Sequence, residues 1–106
     1  MTDIVSVYAV FCSDQEARRI GREMIELRLA ACVNILGACH SIYRWQGEVE
    51  EAAEVAAIFK ATASAAPELV RRIALSHSYE VPAAVIWPIS DLPENYRLWV
   101  EQNSRR

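Results

Sequence analysis

The chain has 106 residues, of which 53% are hydrophobic and 24% charged, the balance of one packed domain over 1–106 and not of a disordered chain. A net charge of -3, with a single basic cluster at Arg105-Arg106 beside Arg97, gives no grip on a nucleic-acid backbone. No apolar run reaches the roughly 18 residues of a membrane span, the start MTDIVSVYAVF lacks the basic region of a signal peptide, and an odd count of three cysteines suits a reducing compartment, so the cytoplasm is the expected location.

Ile4 to Phe11 is rich in β-branched and aromatic residues and predicts a central strand. Ser13 and Glu16 then form a capping-box pattern, and Ala17, Ile20, Gly21, Met24 and Ile25 recur at helical spacing, which predicts an amphipathic helix ending near Arg28. LAACVNIL predicts a second strand, Gly37 a break, CHSIYRW a third strand and Gly47 a turn. VAAIFKAT is ambiguous by periodicity; the turn before it and the helical stretch after it favour a strand. Pro67 opens a second helix reaching about Ser76. AAVIWPI predicts a strand that must end, bulge or lie at an edge at Pro88, and DLPENYRLWV a short closing helix with Asp91 and Glu94 as cap and capping-box partner.

If the middle strands are counted as one ribbon, the order is β-α-β-β-α-β plus a tail. That is an α+β fold, the ferredoxin-like split β-α-β antiparallel sheet with two main helices on one face. The other face then needs a cover, and another copy of the chain is the natural one, because a domain of this size gains appreciably from further burial.

Cys12, Cys32, Cys39, His40 and His77 are possible metal ligands, but no C-x2-C or H-x3-H pair groups them. A thiol nucleophile, Cys12 or Cys39 activated by His77, is a second possibility. Tyr43 and Trp45 share one face of a strand, and with Lys60, Tyr79 and Glu80 they suggest a cleft with aromatic walls or the rim of an interface. Lys60 lies inside the apolar run AAIFKAT, where an unpaired charge is costly, so an acidic group should face it: Glu80, a neighbouring chain's carboxylate or tail, or a small anionic ligand.

RLAACVNI (28–35), SIYRWQGEVE (41–50), FKA (59–61), HSYEVPAAVIWPI (77–89) and NYRLWV (95–100) fall in order over nearly the whole chain. In these segments the chain resembles the CutA family of divalent-cation-tolerance proteins. The resemblance implies a ferredoxin-like subunit in a homotrimer of PII-like architecture with clefts between subunits, and a part in tolerance of divalent metal ions, copper above all, by binding or signalling and not by catalysis. It also implies His77 as the leading copper ligand, with Cys12 about three positions from the cysteine that some members use. The chain departs from the family pattern at Ser78, where a proline is usual, at Ala61 for threonine, and at Ser76, where some members carry a second histidine. Any copper or other divalent cation is therefore expected to be weakly bound and not required for folding. A small thiol enzyme and a structural assembly partner are the alternatives.

Overall fold

The computed structural model describes residues 2–105; Arg106, half of the terminal basic pair, lies outside them. In chain order the elements are β1 (Ile4–Phe11), α1 (Asp14–Glu26), β2 (Cys32–Trp45), β3 (Glu48–Thr62), α2 (Ala66–Ser76), β4 (Ala84–Pro88) and α3 (Glu94–Asn103). The four strands form one sheet in the order β2-β3-β1-β4, antiparallel at every pairing. This is the α+β, ferredoxin-like arrangement expected from the sequence.

Alternation along the strands assigns the two faces. Val5, Val7, Ala9 and Phe11 of β1 and Val55, Ala57, Phe59 and Ala61 of β3 point toward α1 and α2, where Ile20, Met24, Leu69 and Ile73 close the main core. On the other face Ile4, Ala31 and Val100 pack beneath α3. α3 covers that end of the face only, and farther along Tyr8 stacks on Trp87 with ring centroids 4.8 Å apart.

The middle of the chain is simpler than the expected two short strands and a break. β2 runs without interruption for 14 residues, and Gly37, at φ +103°, absorbs a register shift as a bulge. β3 begins at Glu48, seven residues before the expected start, and pairs with β2 over its whole length. EVEEAAE has poor intrinsic strand preference, but the tight turn at Gln46-Gly47 delivers it straight into the β2 ladder, and cross-strand pairing prevails over propensity. β1 stops at Phe11, opposite Val55, so residues 39–54 project as a two-stranded ribbon. The molecule measures 45 × 26 × 22 Å, and its long axis is close to the reach of a strand of this length, about 50 Å.

The helix ends show which signals hold. Ser13 Oγ accepts from Glu16 N at 3.1 Å as expected, but Glu16 reaches back one residue past the cap and takes the Cys12 amide at 3.0 Å. α1 ends two residues early, because Arg28 adopts φ +61° and its carbonyl receives the Arg105 amide at 2.7 Å. The capping box expected for α3 does not form. Pro93 occupies the cap position, which leaves Asp91 two residues upstream to accept from Leu92 N, while Glu94 pairs with Arg97.

Gln46 and Gly47 both have positive φ, +50° and +85°, as a two-residue type I′ hairpin requires, and glutamine is a poor occupant of that region. Gln46→Asn should therefore stabilise the protein by about 0.5–1 kcal/mol in reversible denaturant unfolding. A destabilised variant would show that Gln46 makes a contact that matters more than its backbone strain.

Candidate functional site

The end of β1, the start of α1 and the loop after α2 meet around two buried polar side chains. Glu16, in the first turn of α1, is 6% exposed and accepts from the amides of Cys12 at 3.0 Å and Ser78 at 2.9 Å. Burial works against its charge, but hydrogen bonds from Ser78, through side chain and backbone, and from Cys12 outweigh it and hold the carboxyl down at about 2. The His77 side chain is fully buried, stacked on Phe11 at 5.2 Å. Its Nε2 lies 2.7 Å from the Val10 carbonyl and its Nδ1 accepts the Tyr79 amide at 3.1 Å, which makes Nε2 the protonated nitrogen of a neutral ring. HSYEVP is thus a helix-to-strand handover pinned at both nitrogens of its histidine.

The pinned loop carries Tyr79 to the mouth of the ribbon, where its hydroxyl donates to Glu54 Oε2 at 2.6 Å. Burial first, then this bond and the charge of Glu54, push the phenol well above its ordinary range, so Tyr79 stays a donor. Around the pair opens a cleft of about 640 Å³, walled by Tyr43 and Trp45 and edged by Glu50 and Glu80. Tyr43 and Trp45 are cross-strand partners of Glu50 and Glu48, so pleat and register alone set the aromatic wall against an acidic one.

Trp45, Tyr79 and Glu80, expected in one cleft, do come together; Lys60 does not join them within one chain. It shares a face of β3 with Glu54 but lies six residues along, about 20 Å away, opposite Ser6 and Cys32. Glu80 is therefore not its partner in the same chain, and the cleft's charged lining is entirely carboxylate. Glu54, its most buried acid at 9% exposure, stands out in the sequence as one of a polar set but is not assigned to the cleft there, and Glu50 is not singled out at all. The signal was their spacing of four on one strand face, which a strand starting at 55 hides.

Among the described residues no three His, Cys, Asp or Glu side chains converge as a metal-binding set. Cys12 is exposed, with Sγ 3.7 Å from Ser13 Oγ; Cys32 Sγ lies 3.5 Å from Tyr96 Oη; and Cys39 is half-buried. His77 bonds backbone groups through both nitrogens and pairs with none of these thiols. The residues that the resemblance offers to copper do not form a ready site in the single chain.

Sheet order, helix placement and hairpin define a ferredoxin-like α+β domain with an acidic, aromatic-walled cleft. The family model described as CutA1 divalent ion tolerance protein matches residues 5–103, and the chain belongs to that family. The divalent-cation tolerance protein CutA of Thermus thermophilus is 44% identical over 92 residues, covering 87% of this chain and 89% of that protein. The crystal structure of CutA from Xylella fastidiosa superposes with a TM-score of 0.95 at 28% identity, over 98% of this chain and 100% of the other. CutA from Archaeoglobus fulgidus, described as a periplasmic divalent cation tolerance protein, gives 0.91 at 31% identity over 94% and 97%. Among the described residues no helix is long and apolar enough to cross a membrane.

Glu16 yields a prediction with a definite sign. Its carboxyl lies below the ordinary 4.5 when folded, so it stabilises the fold above about pH 4.5, and that contribution is lost as pH falls toward about 2. Glu16→Gln should lower stability at neutral pH by on the order of 3 kcal/mol and flatten the acid limb of the stability profile. Parallel acid limbs in denaturant unfolding of the two proteins would show that Glu16 is not the coupled group.

Proposed function

We propose that the chain works as a homotrimer in the handling of divalent cations, copper among them, in the cytoplasm, and that it acts by binding or signalling and not by catalysis. The observation that carries the assembly is the half-covered second face of the sheet. Beyond α3 it leaves Val85 and Trp87 each 46% exposed, and the ribbon adds Ile42 at 66% and Val49 at 63%. A lone two-stranded ribbon is marginal in water, and β2 and β4 both offer open edges. Ribbon and sheet face are different surfaces, so a contact between them is head-to-tail, which makes a ring where the rotation closes and a filament where it does not; the PII-like resemblance favours a ring of three copies.

The binding role is supported by family membership and by the cleft at the ribbon's root. Catalysis by a thiol would need His77 to face a sulfur, and its nitrogens are held by Val10 and Tyr79. Three free cysteines accord with a reducing compartment, although the Archaeoglobus relative is described as periplasmic. A divalent cation in this reading binds weakly from solvent, at exposed groups such as Cys12, and is not needed for a core that closes on apolar side chains.

Light scattering at micromolar concentration should give three times the chain mass, and Ile42→Lys with Val49→Lys should lower it. A folded monomer of the unaltered chain would overturn the assembly. For copper, His77→Ala should cost about 2–4 kcal/mol of stability through two lost buried hydrogen bonds and a cavity, yet leave copper(II) affinity within about twofold by calorimetry. A clear loss of copper affinity in the folded variant would restore His77 as a ligand.

A further inference from the structure

The second face of the sheet carries unlike charges at its two ends. At the ribbon's root Glu50, Glu54 and Glu80 line the cleft, and no basic side chain of the same chain joins them. Glu54 is nine-tenths buried, and among the described residues its carboxylate accepts one hydrogen bond, from Tyr79 to Oε2, which leaves Oε1 open to a donor. About 20 Å along the same face of β3, Lys60 has the opposite want. It is half-buried, and it is the only lysine in the chain. Its neighbours across the sheet are Ser6 and Cys32, those along the strand face are Ile58 and Thr62, and none is acidic. Among the described residues Lys60 makes no ion pair.

A half-buried ammonium without an acid and a buried carboxylate without a cation are each costly, and each supplies what the other lacks. Their separation is several times the length of a lysine side chain, so they cannot meet within one chain. A head-to-tail contact removes the separation. It lays the ribbon of one copy over the sheet face of the next, and so sets the acidic end of one face against the basic end of another. Every copy then gives one lysine and receives one, and a closed ring leaves neither kind of end unmatched. We propose that Lys60 of each copy enters the neighbouring copy's cleft and pairs with Glu54 there. The inference rests on the proposed ring and adds to it the residues that meet. Tyr79 holds Oε2 and leaves Oε1 for the ammonium, while Tyr43 and Trp45 offer aromatic faces to the lysine stem and its charge. The cleft is then complete only in the assembly, with groups from two chains and both signs of charge.

The single lysine makes the test specific. Light scattering first fixes the mass of the unaltered protein, and a water-soluble carbodiimide then condenses amine and carboxylate groups in contact into amides, the reagent taking up the water lost. Covalent species of two and three chain masses should appear under denaturing conditions, with a linked Lys60–Glu54 peptide in the digest. Lys60→Glu, which sets a fourth carboxylate against three, should raise the concentration at which the assembly dissociates in moderate urea by about tenfold or more, the scale of one charged hydrogen bond. Lys60→Glu combined with Glu54→Lys should recover most of that loss, a rescue that simple damage to the fold does not give. A monomeric unaltered chain would overturn the assembly and this pair together. In a protein that does assemble, Lys60 left free or joined to another acid, or a swapped pair no better associated than Lys60→Glu alone, would overturn the pair and leave the assembly standing.

Discussion

The unequal lengths of two paired strands govern much of this molecule. β3 has fifteen residues and β1 eight, and their ladder stops at Phe11 opposite Val55. Past that point the start of β3 has only β2 for company, and the sheet narrows from four strands to a ribbon. The narrowing leaves the last carbonyls of β1 to be satisfied from elsewhere, and His77 serves Val10 with its Nε2 proton while Ala83 O receives the Val10 amide at 3.4 Å. The loop after α2 is thus drawn across the end of β1, and the cleft forms between that loop and the ribbon's root.

The same constraint explains why the histidine that the resemblance assigns to copper is so thoroughly engaged here. Any residue at 77 that closes the end of β1 must supply a donor to a carbonyl, and one that also steadies the following turn must supply an acceptor to an amide. A neutral imidazole meets both demands with a single flat ring that can stack on Phe11. To ligate a metal, the ring would give up one of these bonds and leave a buried backbone group unpaired, at a cost of about 1–3 kcal/mol.

Much of the fold is readable from the sequence where a local rule and the packing agree. β1, the first turn of α1, the Pro67 start of α2 and the edge position forced by Pro88 are such places. It is unreadable where pairing outweighs preference, as in EVEEAAE, or where a residue's neighbour takes its position, as Pro93 does to Asp91. The site was half legible for a related reason. Composition marks Trp45, Tyr79 and Glu80 as unusual together, but only register shows that Glu54 faces them, and only strand length shows that Lys60, on the same face, is out of reach.

The departures from the family pattern fall into place on the same loop. A proline at 78 has no amide hydrogen, whereas Ser78 donates its N–H to Glu16 Oε2 at 2.9 Å and so supplies part of what keeps that carboxyl charged. Ser76 Oγ donates to Glu23 Oε1 at 3.2 Å, a second tie from the end of α2 to α1. Ala61 is fully buried on the helix face of β3, where a threonine would bring a hydroxyl into an otherwise apolar core. In this chain, Ser76 and Ser78 bind the loop to α1 by hydrogen bonds. The loop that holds Tyr79 over Glu54 is therefore fixed by the protein's own polar groups, and the shape of the cleft is set by the chain itself.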